Sequence, residues 1–158
     1  MGLLTFSPAE VTAIVLTLKV AVASVAISLP FGIATAYLLA RGRFPGKALL
    51  DGVVHLPLVL PPVVVGYVLL LVFAPHGPGG MLLDRLFGIS IAFRWTGAAL
   101  AAAIMGFPLM VRAIRLSIEA VDQRLELAAR SLGRNALSVF LTITLPLMAP
   151  GILAGVIL

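Results

Sequence analysis

The sequence predicts an all-α, polytopic membrane protein, and three observations carry the prediction. Hydrophobic residues fill 61% of the 158 positions and charged residues only 11%, against roughly 25% charged in a soluble domain. The apolar residues gather into runs of span length, since about 20 residues at about 1.5 Å rise each cross the hydrocarbon of a bilayer. The cations stand at the ends of those runs, so the formal charge of +5 reads as membrane topology rather than as a nucleic-acid surface. With no cysteine, disulfides and thiolate metal sites are excluded.

The N-terminal stretch MGLLTFSPAEV has neither a positive n-region nor a small-residue cleavage site, so no cleaved secretory signal is expected. The first apolar run, Val11 to Ala40, is longer than one untilted crossing requires. Lys19 divides it into an interfacial turn or two and a span over 20–40, with the lysine snorkelling to the outer surface. Pro30 and Gly32 add a modest kink. The loop RGRFPGK that follows holds Arg41, Arg43 and Lys47 and no acid, which places it in the cytoplasm and the N-terminus outside.

The second span, 48–74, contains Pro57, Pro61 and Pro62, then Gly66. Proline removes a backbone donor and clashes one turn back, so three so close together should break or strongly kink the helix. Broken backbone at membrane depth is tolerated where it lines a cavity or is buried in protein. Pro57, Pro61, Pro62 and Gly66 are therefore candidate translocation-pathway residues, and a kink serving packing alone is the alternative. Asp51 and His55 share a helical face near the inner end, as a proton relay or, more ordinarily, a capping carboxylate and an interfacial histidine.

Residues 75–94 read as a turn-rich outer connection in which FGISIAFRW dips back toward the interface, with Trp95 at headgroup level. The third span, 95–115, carries Ala98, Ala102 and Gly106 at four-residue spacing, a pattern that lets helices approach closely in lipid. Gly106 and Pro108 weaken it near its inner third, and Arg112 and Arg115 fix that end in the cytoplasm. The fourth span, 137–158, passes Pro146 and Pro150 and ends in GILAGVIL without a polar flank, so the chain is expected to stop inside a span of a longer protein. All of 1–158 reads as one transmembrane domain without internal repeats.

The long polar interval is 119–135, EAVDQRLELAARSLGRN. Asp122 is a suitable N-cap, Gly133 a C-terminal stop with positive φ, and Asn135 a cap for the next helix. Leu125, Ala128, Ala129 and Leu132 form one apolar face, with Glu126, Arg130 and Arg134 off it. Physics alone leaves two readings open: a helix docking into a partner's groove, or an interfacial helix lying on lipid.

This stretch resembles the cytoplasmic signature of binding-protein-dependent ABC importer permeases: Glu-Ala-Ala, three residues, Gly, nine residues, Ile-x-Leu-Pro. Ala128, Ala129, Gly133, Ile143, Leu145 and Pro146 stand at that spacing, while Leu127 occupies the acidic position and Glu126 comes one residue early. FPGKALLD at 44–51, HLPLVLPPVVVGY at 55–67, FPLMVRAIR at 107–115 and TITLPL at 142–147 are similar to the molybdate-type branch. The resemblance implies a C-terminally truncated permease of the ABC importer fold in a prokaryotic inner membrane, with 119–135 as its coupling loop. It further implies a homodimer, a cytoplasmic ATP-binding subunit docked at Glu126, Ala128, Ala129, Arg130 and Gly133, and an extracytoplasmic binding protein that delivers molybdate or tungstate. ATP hydrolysis falls to the partner; no catalytic residue, metal ligand, cofactor or nucleic-acid partner is expected in this chain.

Other readings stand beside it. A permease of the same class for sulfate or another oxyanion is the alternative within the family. An ion-coupled transporter needs intramembrane acids, for which Asp51 alone is poor support, and an intramembrane hydrolase needs more than His55 and His76 on opposite faces. A membrane scaffold whose polar loop recruits a soluble partner remains the simplest non-transport reading.

Overall fold

A computed structural model describes residues 7–88, 91 and 93–158, and among them every regular element is helical. In chain order these are α1 (Pro8–Arg41), α2 (Lys47–Val59), α3 (Pro62–Phe73), α4 (Pro78–Phe87), α5 (Trp95–Ala120) and α6 (Gln123–Ser131). Then come α7 (Ala136–Val139), a π-helical turn (Phe140–Thr144), α8 (Leu145–Leu147) and α9 (Ala149–Ile157). α1 and α5 are each long and apolar enough to cross a membrane alone, whereas α2 with α3, and α7–α8 with α9, qualify only as bent pairs. The readings of the first six residues, and of Ile89, Ser90 and Ala92 within FGISIAFRW, lie outside the described residues.

The chain divides into two compact units, Met1–Ile27 with Pro57–Met105, and Ser28–Leu56 with Gly106–Leu158. In the first, the helix does not wait for Val20. Ser7 N–H donates to Glu10 Oε2 at 2.7 Å and Glu10 N–H donates to Ser7 Oγ at 3.3 Å, a reciprocal capping box that starts α1 at Pro8. From there 34 residues run without interruption, so no break in the helix marks the expected division at Lys19. Lys19 instead holds its ammonium 4.0 Å from the centroid of the Trp95 ring, a cation–π contact.

The proline-rich span breaks as expected, but at one place. Pro57 stays inside α2. The backbone leaves the helix at Leu60, and Pro61 takes φ −56° and ψ 136°. That extended conformation is what a following proline imposes, because its Cδ crowds the preceding residue out of the α region. Pro62 then begins α3, and the two helices meet at a bend of 107°.

The region expected to be a turn-rich connection contains a helix, α4, whose turn residues sit at its ends. Pro78 lies in its first turn and Gly88 caps it at φ 62°, with its N–H donating to the Asp84 carbonyl. Gly77 and Gly80 are needed for a different reason: a Cβ on either would collide with carbonyl oxygens of α3 and its C-cap, Leu71 and Ala74 respectively. Close approach, not turn formation, explains this glycine cluster.

In the second unit, α5 passes Pro108 without a break, and that proline is fully buried. The close-packing stripe is also not the expected one. On the part of α5 that belongs to the first unit, Ala99 and Ala103 are buried, at 3% and 9% exposure, while Ala98 and Ala102 are exposed; in the second unit a Cβ on Gly106 would meet nothing within 4 Å. The intimate approach is made from α9, whose Gly151 and Gly155 lie against Ala113, Ser117 and Met110 of α5. A Cβ added to Gly32 of α1 would stand 3.0 Å from Met110 Sδ.

Pro146 shapes the last span. It cannot donate to the carbonyl one turn back, and the chain widens just before it into the π turn, where Leu145 N–H reaches Phe140 O. Beyond Met148 the axis turns by 62° into α9.

Candidate functional site

The polar interval folds as its caps dictate. Asp122 Oδ1 accepts from Arg124 N–H at 2.9 Å and starts α6. At the other end Gly133 takes φ 84°. Its N–H donates to Arg130 O at 3.0 Å and Arg134 N–H donates to Ala129 O at 3.2 Å, the paired bonds of a Schellman stop. Asn135 Oδ1 then accepts from Ser138 N–H at 2.7 Å and begins α7. All three sequence-derived caps are therefore in place.

The face of α6 that packs inward differs from the expected one. Glu126 and Ala129 are buried, at 7% and 8% exposure, whereas Leu125, Leu127, Ala128, Arg130 and Leu132 are exposed. Of the five residues grouped as a docking set, Ala128, Arg130 and Gly133 thus lie on the exposed side. Glu126 and Ala129 anchor the helix from within. Residues three apart share a helical face, so Glu126 and Ala129 belong together, and a reading that sorted residues by polarity separated them.

Glu126 is buried because its charge is matched. Its Oε1 accepts from Arg41 Nη2 at 3.2 Å and from the Thr144 hydroxyl at 3.1 Å. Arg41 Nη2 also donates to Val121 O at 2.9 Å, just after α5 ends. Arg41 stands 85 positions before Glu126, and no local pattern marks either it or Thr144 as a partner. Beside this cluster lies an open groove of about 310 Å³ lined by Tyr37, Leu38, Gln123, Leu127 and Arg130 as well as the pair itself.

A second polar cluster joins α2 and α5. Asp51 is not a cap: its Oδ1 accepts from Arg115 Nη1 at 3.2 Å and stands 3.3 Å from His55 Nδ1, while Arg115 Nε donates to Glu119 Oε1 at 2.8 Å.

The proposed pathway residues lie in the first unit. Pro61 and Pro62 are exposed at the break, and Pro57 is half-buried within α2. Gly66, on α3, borders an apolar cavity of about 370 Å³ with Leu69, Phe73, Arg94, Gly97 and Ala101. A Cβ on Gly66 would meet nothing within 4 Å, so this glycine leaves open space where it stands.

Comparison with known proteins gives a consistent set. The family model for the binding-protein-dependent transport system inner membrane component matches residues 28–158. The molybdenum transport system permease protein of Escherichia coli (strain K12) is 60% identical over 149 residues, 94% of this chain and 65% of that protein. Its counterpart in Haemophilus influenzae is 56% identical over 149 residues, again 94% and 65%. A sulfate transport system permease protein of Synechococcus elongatus is 39% identical over 146 residues, 92% of this chain and 51% of that protein. The chain thus spans less than two thirds of the length of these relatives.

Proposed function

The chain belongs to the family of binding-protein-dependent transport system inner membrane components, and on that footing we propose that it is the permease subunit of an ATP-driven importer of molybdate or tungstate. The observation that carries the substrate is the 60% identity to a molybdenum transport system permease. Two copies in a prokaryotic inner membrane, each crossing several times with its N-terminus outside, line the pathway. A soluble ATPase binds the exposed side of α6, and an extracytoplasmic binding protein delivers the oxyanion. The ATPase, not this chain, hydrolyses ATP. ATP binding draws the α6 helices together and opens the pathway outward, and hydrolysis resets it.

Sulfate is the competing substrate, favoured by the 39% identity to a sulfate permease. Uptake by the reconstituted full-length transporter, measured with molybdate, tungstate and sulfate in competition, separates the two. Co-purification of a soluble ATPase is expected, and uptake that proceeds without ATP or a partner would exclude the proposal.

Replacing Gly133 by Val is expected to impair coupling while leaving membrane insertion intact. The residue sits at φ 84°, where an L side chain costs roughly 1–2 kcal/mol and a β-branched one fits worst. Normal ATP-driven uptake by the variant would count against a docking element shaped by this turn. Cysteines placed near Pro61 and Pro62 are expected to react with water-soluble thiol reagents at rates that change with nucleotide state, because broken backbone in a membrane faces either a cavity or protein. Uniform protection in every state would assign the break to packing.

A further inference from the structure

The nine residues of α6 are too few to hold a helix by themselves, so tertiary bonds set its position. Its two buried residues are Glu126 and Ala129. An alanine methyl resists compression but not sliding, since apolar contact is non-directional. Glu126 is different. One carboxylate oxygen accepts from the last residue of α1 and from the last residue of the π turn, and the same arginine nitrogen binds the carbonyl of Val121. Two elements, α1 and the π turn, therefore converge on the inner face of α6 through directional bonds to one carboxylate, and Arg41 also ties α1 to the segment that follows α5. The Arg41 and Glu126 side chains are only 11% and 9% exposed, so water gives little help in replacing them. Among the described residues Arg41 Nε has no hydrogen-bond partner, and the Nη2 bonds hold the guanidinium.

Resting on the reading of α6 as the ATPase contact, we propose that Arg41 and Thr144 are positioning residues for coupling. They clamp Glu126 so that displacement of α6 carries the end of α1 and the π turn with it. Without the clamp, α6 slides on its apolar contact and the displacement is lost before it reaches the membrane helices. The role is distinct from docking, because neither Arg41 nor Thr144 belongs to α6 or to its exposed side.

The test measures molybdate imported per ATP hydrolysed by the full-length permease, assembled with its ATPase and binding protein in proteoliposomes. Arg41→Met is expected to keep the ATPase bound and hydrolysis near the unaltered level, while import per ATP falls roughly tenfold, within the usual range of coupling between sites. Thr144→Val removes one of the two donors and should lower the ratio in the same direction by less; it also serves if Arg41→Met fails to assemble. The pair Arg41→Met with Glu126→Gln should be no worse in this ratio than the weaker single variant, since both remove the same clamp. An unchanged ratio in assembled Thr144→Val or Arg41→Met, or import and hydrolysis falling in parallel, overturns the proposal as a merely structural effect. Absence of ATP-driven import in the unaltered complex is a separate outcome: it removes the transport reading itself, and the clamp with it.

Discussion

Gly151→Ala is expected to lower the stability of the permease by about 1–3 kcal/mol, the usual cost of forcing an extra methyl into a packed interior. At a helix-interior position without neighbours the same change would stabilise by roughly 0.5–1 kcal/mol, because alanine loses less backbone freedom than glycine. Packing decides the sign here. The new Cβ would collide with Ser117 Cβ and stand 2.8 Å from the Ala113 carbonyl, and the rigid backbone of α5 cannot give way as a long side chain would. Gly155 is the milder site, with Met110 Cγ at 3.1 Å and Met110 O at 3.2 Å. Thermal unfolding of the detergent-purified permease checks the ranking: Gly151→Ala below Gly155→Ala, and Gly106→Ala, whose Cβ meets nothing within 4 Å, at or above the parent. If all three behave alike, the close crossing of α9 on α5 is not what holds the last span.

Glu126→Ala should cost more, about 3–5 kcal/mol, because it leaves the Arg41 guanidinium buried without its counter-charge. The comparison with the Arg115–Glu119 pair makes the reasoning concrete. That pair is closer, at 2.8 Å, yet its side chains are 27% and 43% exposed, and water replaces most of what either partner loses. Glu119→Ala is accordingly expected to cost less than about 1 kcal/mol. Distance alone would rank the Arg115–Glu119 pair first; burial reverses that order. A double replacement, Arg41→Met with Glu126→Leu, is expected to recover much of the lost stability, since an apolar pair of similar volume is often no worse than a buried ion pair. Equal unfolding temperatures for Glu126→Ala and Glu119→Ala would refute the burial argument.

Much of this molecule was legible from its residues. The membrane character follows from composition and run length, and the break follows from the tandem prolines. The shape of the polar interval follows from Asp122, Gly133 and Asn135, each of which acts through its own backbone neighbourhood. The capping box Ser7-Pro8-Ala9-Glu10 is equally local, and it starts the helix well before Lys19. In helix α4 proline and glycine act as end signals rather than as turn formers, Pro78 in the first turn and Gly88 at the C-cap. Gly151 and Gly155 carry a four-residue spacing as plain as that of Ala98 and Ala102, yet only the packing of α9 says which stripe is used.

What the sequence by itself determined is therefore local: where helices start and stop, where the second span breaks, and the capped, glycine-terminated form of α6. Caps, prolines and positive-φ glycines act over a few residues, so their consequences can be read in place. Only the tertiary structure decided which face of α6 turns inward and what holds it. The polarity of Glu126 pointed outward, and its burial depends on Arg41 and Thr144, which lie 85 and 18 positions away and reach it only once the chain has folded. A charge is read as a surface group until its partner is in place, because the cost of burying it is set by that partner and not by the residue itself.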